Sequence, residues 1–417
     1  MPRKIGTYCT KTFGDEKVRA FIPLPLPPQK PLLRIEGELA QLHADAVSAV
    51  RQLNIAAAMV PSPNWFLYGF VRKEAVVSSQ IEGTQATLED VVAFEATRQS
   101  ERPADVQEVC NYIEALAWAR AEVQRTGGLP LCTRLLCGAH RRLMQGVRGE
   151  DKQPGEIRTS QNWIGGSRPG NAKFVPPPPE VVPEALAKLE KWIHSDDRLP
   201  PLVRAGLAHV QFETIHPFLD GNGRIGRLLI TLLVEHWGLL QAPLLYTSLA
   251  FMRHRQEYYR HLMEVRTQGD WEGWTAFFLR CVQEAANDGV QVAGRLFALL
   301  GKDRQTALHH KAATLPSVRL FDLLPEHPMI TIGIAMELLE TTKPTAAKAM
   351  DALVQAGILQ EITGKRRDRV YAYQAYLVTL SGEIGKTNGD DLDDRKFGNA
   401  PSTVHAGFGH AMKRLAE

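Results

Sequence analysis

The sequence predicts an all-α protein with a small β-hairpin flap and a separate helix-and-hairpin unit near its C-terminal end. Three observations carry that expectation. Through most of residues 33–300 apolar side chains return at three- and four-residue steps, the period of helices with one buried face. Residues 158–179 break that period with paired glycines and four consecutive prolines. Residues 315–373 then restart it as short helices followed by two strand-like runs. A chain of 417 residues, 44% of them hydrophobic, has room for two or three domains and a sizeable core.

Taken in order, residues 21–32 carry Pro23, Pro25, Pro27, Pro28 and Pro31, which exclude helix and predict an extended arm. Residues 33–101 read as helical, and Arg102-Pro103 marks a break, giving a first region over 1–105. Two helical stretches follow to about Gly146, then the hairpin or ordered loop of 158–179. Helices resume at 183–194 and 202–215. A Gly-rich loop leads into an apolar helix at 224–237, and helical patterning continues to about Leu300, completing a second region over 106–300. No fixed-period repeat is present, which argues against a solenoid. The C-terminal unit, 312–378, reads as helices at 318–323, 332–340 and 344–355, with Thr342 as cap and Pro344 in the first turn. Ala347, Met350, Leu353 and Val354 are expected inward, with Lys343, Thr345 and Lys348 outward. Strand-like runs at 358–363 and 369–373 flank a basic tip. The tail, 379–417, is Gly-, Asp- and Lys-rich and expected to be loosely ordered.

A net charge of +3 argues against a protein that coats polyanions along its whole surface. The surplus is local, however. Residues 341–373 hold Lys343, Lys348, Lys365, Arg366, Arg367 and Arg369 against Asp351, Glu361 and Asp368, leaving the rest of the chain balanced. Five thinly spread cysteines do not form a secreted disulfide framework. No signal-like apolar region follows the N-terminus, and the longest apolar run, 228–240, is interrupted by Glu235 and His236. A soluble, cytoplasmic protein with no membrane partner is expected. Cys132, Cys137 and His140 share one helical stretch, but their spacing matches no standard zinc pattern and reads as packing.

The densest chemistry is the run His216-Pro217-Phe218-Leu219-Asp220-Gly221-Asn222-Gly223-Arg224-Ile225-Gly226-Arg227 between two helical segments. Glycines let backbone N–H groups approach an anion, and the following helix start adds a positive dipole end. Arg224 and Arg227, one turn apart, suit charge-assisted contacts to phosphate oxygens. Asp220 is a hard oxygen ligand for Mg²⁺, Asn222 an amide donor, and His216 a general base near neutral pH. Together these are the parts of a phosphoryl- or nucleotidyl-transfer site. Gly221, Gly223 and Gly226 also satisfy the dinucleotide spacing G-x-G-x-x-G, but that fingerprint needs a preceding strand and the preceding residues read as helix.

The run resembles the complete signature of the Fic family, HPFx[DE]GNGRxxR, with no position altered. The resemblance reaches from the Pro-rich start to about Leu300. It implies an all-α Fic/Fido core with a hairpin flap, and transfer of AMP from ATP to a Ser, Thr or Tyr hydroxyl of a target protein or of the chain itself. It implies that His216 deprotonates the hydroxyl, which attacks the α-phosphate and expels pyrophosphate. Asp220 would hold Mg²⁺; Gly221, Asn222, Gly223 and Arg224 would cradle the α- and β-phosphates; Arg227 would meet the γ-phosphate. Residues 158–179 resemble the family's flap, whose Trp163, Ile164, Gly165 and Gly166 would pair by main-chain hydrogen bonds with the target. Residues 255–259 match a segment near the nucleotide base, where Tyr258 either contacts adenine or packs in the core.

Ser78-Ser79-Gln80-Ile81-Glu82-Gly83 resembles the family's inhibitory motif, [ST]xxxE[GN]. Ser78 and Glu82 share one helix face, and Gly83 can end that helix. The resemblance implies that Glu82 pairs with Arg227 and blocks the productive γ-phosphate position, an N-terminal inhibitory helix. Residues 315–373 resemble a winged helix-turn-helix, which implies DNA contacts through Lys343, Thr345, Lys348 and the tip at 365–369, or protein contacts through the same surface. Two alternatives stay open: a Fic enzyme that removes AMP or transfers another phosphate-containing group, and a DNA-binding regulator whose Fic site senses nucleotide. The oligomeric state also stays open, a homodimer included.

Overall fold

The computed structural model describes residues 3–13, 16–58 and 63–382. The chain opens with a hairpin, β1 (Gly6–Phe13) and β2 (Glu16–Pro23), paired antiparallel along its whole length. Sequence periodicity does not reveal it, because its buried side chains among the described residues are only Val18, Ala20 and Phe21, set among charged and polar neighbours. The Pro-rich arm starts inside β2, and its Leu26 is buried against the helical body.

Helices α1 (Gly37–Ala58), α2 (Pro63–Ile81), α3 (Leu88–Thr97), α4 (Pro103–Gln124) and α5 (Thr133–Leu143) follow. Thr87 and Asp90 close a capping box on α3, and Pro103 opens α4, so the break read at Arg102-Pro103 is a helix boundary. Residues 158–179 make less of a hairpin than expected: one bridge, Ile164 to Phe174, around a single 3-10 turn at Pro169–Asn171. Two features stop the ladder. The prolines at 176–179 lack the N–H needed to extend one arm, and Gly165 and Gly166 take positive φ (67° and 81°) in the other.

Next come α6 (Val182–Ile193), α7 (Pro201–Ile215), α8 (Asn222–His236), α9 (Thr247–Arg253), α10 (Arg255–Gln268) and α11 (Trp271–His309). Every residue from 202 to 215 and from 224 to 234 is buried. A helix apolar nearly all round has to be enclosed, so α7 and α8 form the centre, with α4, α5, α6, α10 and α11 around them. The turn between α7 and α8 is the Gly-rich loop.

The C-terminal unit consists of α12 (Leu315–Leu323), β3 (Met329–Thr331), α13 (Ile332–Leu339), α14 (Lys343–Gln355), β4 (Gln360–Glu361), β5 (Val370–Ala372) and α15 (Gln374–Ser381). The strands form an antiparallel sheet in the order β3-β5-β4. The inward face of α14 is Ala346, Ala349, Met350 and Leu353, and Ala347 is only partly buried. Alanines on both faces left the helix phase ambiguous by one residue. α15 takes up positions assigned to the tail, whose residues 383–417 lie outside the described residues. It packs on α2, with Tyr376 donating to Trp65 O (3.0 Å) and Lys73 to Leu380 O (3.3 Å). One hydrophobic core runs from Leu26 to Leu380. No helix among the described residues is long and apolar enough to cross a membrane.

Candidate active site

α7 ends at His216, which takes a left-handed conformation (φ 52°, ψ 62°) while its N–H still donates to Phe212 O at 2.9 Å. A non-glycine residue held there stores roughly 1–2 kcal/mol of strain, so its surroundings must enforce the turn. Arg158 does so. Its buried guanidinium donates to His216 O (2.9 Å), Ser160 O (3.1 Å) and Pro177 O (2.6 Å), tying the Gly-rich loop backbone to both arms of the flap. The His216 ring places Nδ1 3.3 Å from Glu213 O. A carbonyl only accepts, so Nδ1 carries the hydrogen and Nε2 keeps its lone pair. Burial, with Arg266 and Arg158 adding repulsion, pushes the His216 pKa down to about 3. The imidazole is therefore neutral at physiological pH, as a general base requires.

The loop after it is braced internally. Asn222 Oδ1 accepts from Phe218 N–H (2.9 Å) and Asn222 Nδ2 donates to Phe218 O (2.8 Å). The carboxamide thus braces the loop through its oxygen and one of its two N–H groups. Asn162 of the flap donates to the same Phe218 O (3.0 Å). Beneath the loop, the His140 ring stacks on Phe218 with centroids 3.9 Å apart and planes within 3°. Its Nδ1 accepts from Gly155 N–H (2.8 Å), so Nε2 donates to Asp220 O (3.0 Å). Burial lowers the His140 pKa to about 4, which keeps it neutral. His140 was read from sequence as packing; it is a brace for the loop.

Asp220 is partly exposed, its Oδ1 accepting from Gly221 N–H at 2.6 Å. Gly221 sits at φ 73°, the left-handed entry into α8. Arg224 is buried and paired with Glu108 at 3.4 Å, and Glu108 also accepts from Thr84 (2.8 Å). Arg227, equally buried, donates to Ser78 Oγ (2.9 Å), Ser78 O (2.8 Å) and Glu82 Oε1 (2.7 Å). A Cβ at Gly223 would lie 2.2 Å from Glu82 Oε1, so only glycine lets that carboxylate reach the first turn of α8. An anion thus already occupies the helix start, where the dipole and two arginines favour negative charge. Burial alone would raise the Glu82 pKa; Arg227, with Arg224 and Arg255 behind it, outweighs burial and holds it below the usual carboxylate range.

Of the flap residues, Trp163 and Ile164 are partly buried, Gly165 is buried and Gly166 is exposed. Tyr258 lies in the core at 1% exposure, its hydroxyl bonded to His209 Nε2 (2.8 Å) and its ring against Phe251. That settles its position in favour of packing. Its neighbour Tyr259 is partly buried, near Arg255. Sequence reasoning missed Glu108, Glu213, Arg158 and His140. Glu213 alone left a signal, standing three residues before His216 on the same helix face. Burial raises its pKa to about 7, and its Oε1 has no hydrogen-bond partner. Among the described residues His261, Glu264 and Asp270 lie close enough to share a metal, but Glu264 is engaged by Arg260 and Asp270 caps α11.

A histidine-led, arginine-rich loop at a central helix start, with a carboxylate seated on it, defines a class of helical domains with a built anion site. Comparison with known proteins places it further. Residues 40–121 match the Fic/DOC family N-terminal profile and residues 130–234 the Fic/DOC family profile. The chain belongs to the Fic/DOC family. It is 26% identical over 251 residues to "Protein adenylyltransferase Fic" of Drosophila erecta, covering 58% of this chain and 45% of that relative. The same-named protein of Drosophila willistoni is 26% identical over 256 residues, covering 60% and 47%. The chain thus matches less than half the length of these relatives. A Fic family protein from Desulfovibrio desulfuricans G20 shares the fold at a TM-score of 0.52, with 23% identity, covering 82% of this chain and 98% of that one.

Proposed function

We propose that this chain is a protein adenylyltransferase, transferring AMP from ATP to a Ser, Thr or Tyr hydroxyl of a target protein or of itself. One observation carries the reading: His216 is neutral and keeps the Nε2 lone pair, beside a helix start whose two buried arginines are each paired with a carboxylate, Arg224 with Glu108 and Arg227 with Glu82. Nε2 takes the hydroxyl proton, the oxygen attacks the α-phosphorus, and the bond to pyrophosphate breaks in line. Arg224 and the N–H groups opening α8 suit the α- and β-phosphates, and Arg227 the γ-phosphate. Asp220 is a partly exposed carboxylate next to that anion site and fits a hard cation; it would hold Mg²⁺, which supplies charge neutralisation of the phosphates. The flap would offer a main-chain edge to the target.

The Glu82–Arg227 pair acts as a brake on this activity. The carboxylate takes the guanidinium that the γ-phosphate needs, so ATP binds in the productive pose only after Glu82 moves. Incubation with ATP labelled at the α- or γ-phosphate tests the reaction class. Label entering protein from the α position only is expected, with none for His216→Ala; label from the γ position would mean phosphorylation instead.

A second reading concerns the C-terminal unit. Lys343 and Lys348 are exposed on α14, and residues 365–369 at the β4–β5 tip are exposed too. In a winged-helix reading α14 would enter the DNA major groove and the tip would meet phosphates. A duplex affinity that falls steeply with salt supports this; no binding at low salt removes it.

A further inference from the structure

The N-terminal hairpin completes the flap. Phe21 N–H donates to Val175 O at 2.9 Å, so the second flap arm is bonded to Ile164 on one side, through Phe174, and to β2 on the other. One bridge and one main-chain hydrogen bond thus join the flap to the two-stranded hairpin, in the order first flap arm, second flap arm, β2, β1. At the tip, Glu16 accepts from the Arg168 side chain and from Gly170 N–H (2.9 Å). On one face Val18, Ala20 and Val175 form their own apolar cluster, with Trp163 and Ala172 packed against it. The Phe21 and Phe174 rings stand 5.9 Å apart. The hairpin is anchored to the helical body as well: Arg3 pairs bidentately with Glu272 (2.7 and 2.8 Å), and Gln211 donates to Leu24 O (3.0 Å).

A single bridge between two short arms is too weak to hold a defined strand in water, whereas three or more strands with an apolar face are stable. Pairing with an incoming strand needs an edge already in extended geometry. Along the first arm, Ile164 spends its N–H and C=O on Phe174. The main-chain groups of the preceding residue, Trp163, take no hydrogen-bond partner among the described residues, while the buried, left-handed Gly165 ends the extended run. The Trp163 groups belong to the opposite edge.

We propose that the hairpin β1–β2 is part of the docking element for the acceptor protein: it holds residues 162–164 as a preformed edge on which an extended acceptor segment pairs. Its occupant is therefore a polypeptide strand carrying the hydroxyl, and the hairpin acts as a positioning element outside the nucleotide site. This rests on the transferase reading above.

The test uses the full chain with the Glu82→Gly change, supplied with α-labelled ATP and with a His216→Ala copy of the chain as acceptor. Protein label and free AMP are counted together, since water can replace the hydroxyl and yield AMP and pyrophosphate. Adding Glu16→Ala or Phe21→Ala is expected to cut the ratio of protein label to free AMP at least fivefold while total ATP turnover stays within twofold. Amide exchange at Ile164 and Phe174 should speed up tenfold or more, with α7 and α8 unchanged. An unchanged ratio, unchanged flap exchange, or turnover that falls in step with labelling overturns the proposal. If the Glu82→Gly parent neither labels protein nor releases AMP, the transferase reading fails and takes the docking role with it; a working parent with an unchanged ratio sinks the docking role alone.

Discussion

His216 is held at a left-handed turn by groups that do no chemistry: Arg158 on its carbonyl, Asn222 across the next turn, and His140 beneath Phe218. Residue types in the motif were readable in the sequence, because a turn alone does not need a histidine, an acid and two arginines together. Their division of labour was not. Asn222 looks the same on paper whether it serves a ligand or the loop, and His140 and Arg158 come from distant segments that only folding brings beneath it. Asn222→Ala removes both of its bonds to Phe218 and leaves the buried Phe218 N–H unpaired, its carbonyl still accepting from Asn162. A loss of about 1–3 kcal/mol in urea unfolding is expected, with a weaker ATP affinity. Unchanged stability would show that the staple contributes nothing.

At the scale of elements, α2 ends one residue before Glu82, the brake proposed above, and α15 packs along it. A Cβ at Gly69 would come 2.7 Å from Leu380, so the two helices meet closely at a glycine. Leu380→Ala opens that contact and should cost about 2–4 kcal/mol, the range for a buried leucine truncation, with faster amide exchange in α2 than in α4. Exchange rising equally everywhere would mean that the contact is not local to α2. α15 was not legible because its short apolar run follows a strand and merges into a polar tail. The hairpin β1–β2 was hidden for the opposite reason, a ribbon too polar to show its alternation. Long helices such as α7 and α8 were legible because periodicity accumulates over many turns.

For the whole molecule, buried titrating groups set the pH response. His140, His209 and His216 have pKa values of about 4, 3 and 3, below the unfolded value of 6.5, with burial as the main cause. The unfolded chain therefore takes up these protons first, and stability falls as pH drops below 6.5. Glu74 and Glu213 work the other way. Burial raises both to about 7 against 4.5 unfolded, so the folded state binds their protons first and stability rises as pH falls from 7 to 4.5. Three histidines against two glutamates leave one net proton taken up by the unfolded chain, so stability falls gently from pH 6.5 to 4.5; below 4.5 the offset is gone and the depressed Glu82 carboxylate adds to the histidine loss. Urea midpoints should thus fall gently from pH 6.5 to 5 and steeply below 4.5. A steep fall beginning at pH 6.5 would mean that the carboxyls are ionised at neutral pH.

The central claim is that the His216 loop transfers AMP and that Glu82 restrains it by occupying Arg227. Its most direct test is the rate at which label from α-labelled ATP enters protein, compared among the wild type, Glu82→Gly and the Glu82→Gly/His216→Ala double variant. The rate should rise at least tenfold with Glu82→Gly and vanish in the double variant. Equal rates for the wild type and Glu82→Gly, or labelling that survives the loss of His216, would contradict it.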